Sequence, residues 1–195
     1  MASYLIEVEI GLGWSHYGPE SAKGKGSVEL SDEDVKTLVD LIRKTGTTDV
    51  YDMKLKSHYP KIYKKLDEAY HKLSLQAVEL HWLWEGYHNH YFEYDGEELE
   101  KYCKEHLGYE PIDPNTIKID KELEKVDKFA ALFDQLERVN ETYRQFSVWI
   151  EKYINSLSTE EAVHFFHEHM NAETSVDEEE YIIEIPKAIC KLAEQ

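Results

Sequence analysis

Two groups of histidine and glutamate have the spacing of metal ligands. His81, Glu85 and His88 stand at i, i+4 and i+7, and His164, His167 and Glu168 form a second such set with His169 beside it. Residues three and four apart share one side of a helix, so each set could point one way. Glu85-Gly86-Tyr87-His88 and Glu161-Ala162-Val163-His164 are both Glu-x-x-His, the motif that di-iron bundles draw from two of their helices. On that reading His81, Glu85, His88, His164 and His167 hold a transition metal in a metal-dependent enzyme. Frequency argues the other way. With 28 Glu and ten His in the chain, about 1.4 such pairs arise by chance. Three are present, the third being Glu68-Ala69-Tyr70-His71. Glu161 also has a structural use as the capping-box partner of Ser158.

Other catalytic signatures fail on spacing. His167-Glu168-His169 lacks the second histidine of a zinc-protease motif, and no Gly-x-Ser-x-Gly elbow is present. Gly11-Leu12-Gly13 lacks the third glycine of a dinucleotide fingerprint, and Gly26 stands where a phosphate loop needs Ser or Thr. Cys103 and His106 share a helix face, but the surrounding acids would raise the thiol pKa and keep it from attack.

Binding chemistry is better represented. Trp82, Tyr87, His88, His90, Tyr91 and Tyr94 form the most aromatic segment of the chain, and Trp14, His16 and Tyr17 add a second group. These residue types build protein contacts and stacking sites. The competing reading is that most of the rings complete a core at a helix end.

An acidic block begins at Glu93, with eight acids against two bases over residues 93–113 and ten against two over residues 158–195. Those segments dominate a net charge of −18. Such a surface repels nucleic acid and anionic lipid, which are bound through cations, and attracts basic proteins. Two widely separated cysteines match no metal or redox spacing. No run approaches the ~18 apolar residues of a membrane helix, and Met1–Leu5 lacks the features of a secretion signal. The expectation is a cytoplasmic protein without membrane or nucleic-acid partners.

The elements that would position these residues can be read from periodicity. Ile62, Leu66, Ala69, Leu73, Ala77, Leu80, Trp84 and Tyr87 recur at three and four, predicting a long helix from about Tyr59 into the aromatic segment. Ile119 to Leu157 repeats likewise, as one helix or two meeting at Asn140. Ser31, Asp95 and Ser158 read as caps of shorter helices, closed by Gly46, Gly108 and Met170. Tyr4–Ile10, Val28–Leu30 and Glu180–Ile185 read as strands, with residues 11–25 as a long loop and Pro186 opening a last helix.

The predicted fold class is α+β, predominantly helical, with two long antiparallel helices and a small, mainly antiparallel sheet joining N- and C-terminal strands. Residues 1–195 read as one domain with a weak boundary at 109–115, where Pro111 and Pro114 stiffen the connection. The leading functional expectation is a non-enzymatic acidic binding protein, an inhibitor or immunity-type factor masking a basic protein and using no cofactor. The metal-dependent enzyme is the alternative. A homo-oligomeric structural protein, a homodimer in the simplest case, is the third reading.

Overall fold

The computed structural model describes residues 1–15, 18–92, 95–113, 128–176 and 180–195. Among them the elements are β1 (Ala2–Ser15), β2 (Gly18–Leu30), α1 (Asp32–Thr45), α2 (Leu55–His58) and α3 (Pro60–His88). They continue as α4 (Gly96–His106), α5 (Lys128–Ser156), α6 (Thr159–Met170) and α7 (Lys187–Ala193). The class is α+β, mostly helical, with a two-stranded antiparallel sheet. The chain forms two compact units, one of Met1–Glu93 with Ser158–Gln195 and the other of Tyr94–Leu157. The two long helices therefore belong to different units.

In the first unit β1 and β2 pair from Ala2↔Leu30 out to Ser15↔Gly18. This corrects the expected loop over residues 11–25, most of which is ribbon; His16 and Tyr17 lie outside the described residues. Small residues in β2 imitate turn chemistry, but they have another cause. Ile6, Val8 and Ile10 of β1 face Gly26, Gly24 and Ala22 of β2, so large side chains oppose small ones. Helix α3 lies over that hollow. A Cβ added at Gly24 would sit 2.8 Å from Ala77 Cβ, and one at Gly26 would sit 3.1 Å from Leu73 Cδ1. Close backbone approach is a standard reason for glycine inside a strand. The register shift between Gly11 and Gly13 is a bulge near the ribbon's end.

Helix α1 begins with a complete capping box, Ser31 and Asp34 each accepting the other's backbone N–H, and ends at Gly46 with φ 71°. Burial pulls the Asp34 carboxyl upward, but hydrogen bonds from Lys65 and Ser31 outweigh it and hold it below the usual carboxylate range. Arg43 donates to the Ala193 and Leu192 carbonyls, satisfying the end of α7. Leu38, Leu55, Ile62, Leu66, Tyr70 and Leu73 join the ribbon's inner face in one apolar core.

The expected third strand over Glu180–Ile185 is a correction. Among the described residues the sheet has two strands, and this segment makes one isolated bridge, Asp49↔Glu184. Ile183 and Ile185 do turn inward while Ile182 faces out. Alternation reports one-sided burial, and an extended segment shows it with or without a ladder. The sheet therefore does not join the two ends of the chain; the core does, through Ile183, Ile185 and Ile189.

In the second unit Asp95 caps α4 by accepting the amides of Glu97 and Glu98. The chain reverses through Gly108 (φ 72°), placing Tyr109 against Phe146 at 5.3 Å and Trp149 at 5.1 Å. Helix α5 runs unbroken through Asn140. Of the predicted 119–157 helix, residues 119–127 lie outside the described residues.

Candidate functional site

The aromatic segment is shaped by how α3 ends. Tyr91 N–H bonds Gly86 O at 2.9 Å and His90 N–H bonds Tyr87 O at 3.2 Å, with His90 left-handed at φ 57°. That is a Schellman closure with histidine in the position glycine usually takes. The helix thus stops at His88, inside the aromatic segment. The reversal turns Phe92 back onto Gly86, where an added Cβ would lie 2.3 Å from the ring. Gly86 accordingly stands in a helix despite its propensity penalty of ~1 kcal/mol.

Phe166 of α6, fully buried, gathers the rings. Trp84 meets it edge-on at 5.3 Å, Tyr87 at 6.1 Å and Phe92 at 6.3 Å. Trp84 also stacks on His88 at 5.3 Å, while His88 Nδ1 bonds Trp84 O at 2.9 Å. Sequence reasoning missed Phe166 as the organiser, because nothing local marks which ring will face which.

Trp82 and Tyr91 stay outside this cluster, at 42% and 77% exposure, with His88 and His90 also exposed. Trp82 stands three residues before the exposed Glu85, a spacing that places both on neighbouring positions of one helix side. It contacts His81 edge-on at 5.0 Å, and His81 Nε2 is buried without a hydrogen-bond partner. Trp14 belongs to the ribbon's last pairs, opposite Pro19. Tyr94, like His16 and Tyr17, lies outside the described residues.

The two histidine sets have separate uses. His167 bridges α6 to α3 by Nε2 against Glu79 Oε1 at 2.8 Å, with Nδ1 against Ala172 O. His164 pairs with Glu168 at 2.9 Å. Glu79 is a partner that spacing did not suggest, because it lies on another helix 88 residues away. Among the described residues, no three His, Cys, Asp or Glu side chains gather in a way that could hold a metal ion.

Burial, reinforced by Glu100, pushes the Cys103 thiol up to about 11, so at neutral pH it stays a thiol and is a poor nucleophile. The nearby His106 ring lies against Tyr102 at 4.8 Å. A cavity of about 190 Å³ opens beside β1, walled by Leu5, Ile6, Tyr70, Ile185 and Pro186, with the Glu7–Lys187 ion pair of 2.6 Å at its lining. No helix among the described residues is long and apolar enough to cross a membrane. No protein-family model matches the chain, and no curated protein or solved structure matches it.

Proposed function

We propose that this chain is a non-catalytic acidic binding protein that masks a basic protein partner, with Trp82 and Tyr91 as anchors. The observation that carries the reading is the exposed Trp82 indole with the exposed Glu85 three residues on, at helical spacing. Tryptophan is among the residues that dominate binding interfaces. An indole face attracts lysine or arginine, and a carboxylate beside it completes the ion pair. The net charge of −18 adds long-range attraction for a cationic surface. Two free thiols, Cys103 and Cys190, support placing it in the reducing cytoplasm.

The test is affinity capture from the native cell with the wild-type chain, a Trp82→Ala/Tyr91→Ala double variant and Glu85→Lys. A basic protein should be retained by the wild type, released as salt rises, and lost from both variants. Retention that is indifferent to salt and to all three substitutions would overturn the proposal.

A further inference from the structure

Helix α5 carries an apolar stripe of which only one half is covered. Phe146, Ile150 and Ile154 are at most 8% exposed, whereas Phe133, Leu136, Val139 and Tyr143 are between 50% and 67% exposed. The sequence behind the stripe is heptad-like. Phe129, Leu136, Tyr143 and Ile150 repeat every seven residues, and so do Leu132, Val139, Phe146 and Tyr153. Four heptads without a polar residue at either position are the signature of a coiled-coil seam. A single helix cannot bury both sides of such a seam, and exposed runs of large apolar side chains mark interaction surfaces.

Charge selects the occupant. The positions flanking the Leu136–Val139–Tyr143 seam are Phe133, itself exposed, with Gln135, Asn140 and Thr142, none of them charged, in a chain with 40 acids and 22 bases. The nearby acids Asp134, Glu137 and Glu141 occupy heptad positions further from the seam. Glu141 is moreover held by Arg144, in a two-pronged contact of 2.6 and 2.9 Å. A basic partner would seek acids beside the seam. A second copy of this helix needs the opposite, flanks without like charges to repel it. Direction follows from the covered half: Tyr109 already occupies the Phe146–Trp149 end. Parallel pairing would bring two covered ends side by side, and antiparallel pairing sets them apart.

We infer that the exposed half of the α5 stripe is a homodimer interface, in which two copies pair antiparallel with Leu136 of each against Val139 of its partner. Covering the four side chains on both copies removes on the order of 800 Å² from water, below the ~1,200 Å² of standard interfaces and in the range of weak, transient contacts. The dimer is therefore weak and forms only as the protein concentration rises. Because each copy carries −18, association tightens as salt screens the repulsion. Binding of a basic partner would weaken instead, so this inference and the masking function stand or fall separately.

Sedimentation velocity of the full chain from about 1 to about 200 µM tests it, at about 0.1 and about 0.5 M salt. The wild type should approach twice the protomer mass, more readily at the higher salt. Leu136→Glu/Val139→Glu should remain monomeric with unchanged circular dichroism and melting temperature, both positions being exposed. In a Cys190→Ser background, Tyr143→Cys chains should not cross-link with a short bismaleimide, because the antiparallel order sets the two copies of residue 143 roughly 16 Å apart along the axis whereas a parallel order would bring them side by side. A wild type monomeric at the highest concentration and salt would overturn the proposal, and would follow if the same chain covers its own stripe. A dimer that survives the double glutamate variant would overturn it too. Efficient cross-linking of the Tyr143→Cys chains would overturn the antiparallel order.

Discussion

Trp84, Tyr87 and Phe92 all pack against Phe166, so removing that one ring leaves a hole that three large, stiff side chains cannot jointly fill. Phe166→Ala should lower stability by about 3–5 kcal/mol in denaturant unfolding, while Trp82→Ala should cost less than about 1 kcal/mol. Comparable losses would put Trp82 in the core and remove the proposed anchor. Asp34 offers a test by pH. Its carboxyl is held below the ordinary 3.8 by Lys65 and Ser31 against the upward pull of burial. A carboxyl lowered by folding adds stability above its unfolded value and loses it as pH falls through its folded one. Asp34→Asn should therefore destabilise by roughly 1 kcal/mol near pH 7, a modest figure because Lys65 is partly exposed. The gap to wild type should close as pH falls below 3.8 and through the lower folded value. A gap that stays constant from neutral to acid pH would show that the ion pair contributes nothing.

At the scale of elements, the contact between α3 and β2 is the most demanding. An added methyl at Gly24 meets Ala77 Cβ at 2.8 Å, with Val8 and Leu73 at 3.1 and 3.2 Å. A Cβ cannot rotate away, so the helix must lift. Gly24→Ala is expected to destabilise by about 1–3 kcal/mol, even though alanine restricts the unfolded chain and should otherwise help. Thermal melting of the variant checks this, and an unchanged or higher midpoint would mean that α3 does not rest on the β2 backbone. The helix ends were legible beforehand because capping is local. Ser31, Asp95 and Ser158 announce their helices within four residues. The 11–25 ribbon was not legible, because its glycines answer to a helix some fifty residues further along the chain.

At the scale of the whole molecule, the last residues close a core that the first residues begin. Ile183, Ile185 and Ile189 are buried with Ile6, Val8 and Leu66 in one cluster. Deleting residues 180–195 removes all three, at about 2–5 kcal/mol each, together with the Tyr181–Asp67 hydrogen bond of 2.9 Å. That exceeds much of a typical domain's stability, so the truncated chain should lose its near-UV circular dichroism and its cooperative melt. A truncated protein that melts as sharply as the full chain would show that this segment is dispensable. The acidity of the C-terminal region thus conceals a structural role: Glu180, Ile182 and Glu184 are exposed while Ile183, Ile185 and Ile189 turn inward.

What the chain alone determined is whatever depends on neighbours within about one helical turn: helix faces, caps, and the inward side of β1 and of residues 180–185, together with the net charge of −18. Side chains three or four apart interact through the local backbone, so their pattern survives in one dimension. Tertiary structure alone decided which rings are consumed by the core and which remain on the surface. Trp82 and Trp84 differ by two residues in a helix, yet one is exposed and the other meets Phe166. It also decided that His167 answers to Glu79, and that Phe146, Ile150 and Ile154 of α5 are covered while Leu136, Val139 and Tyr143 are exposed. Periodicity says that a face is apolar; only the arrangement of distant elements says what, if anything, lies against it.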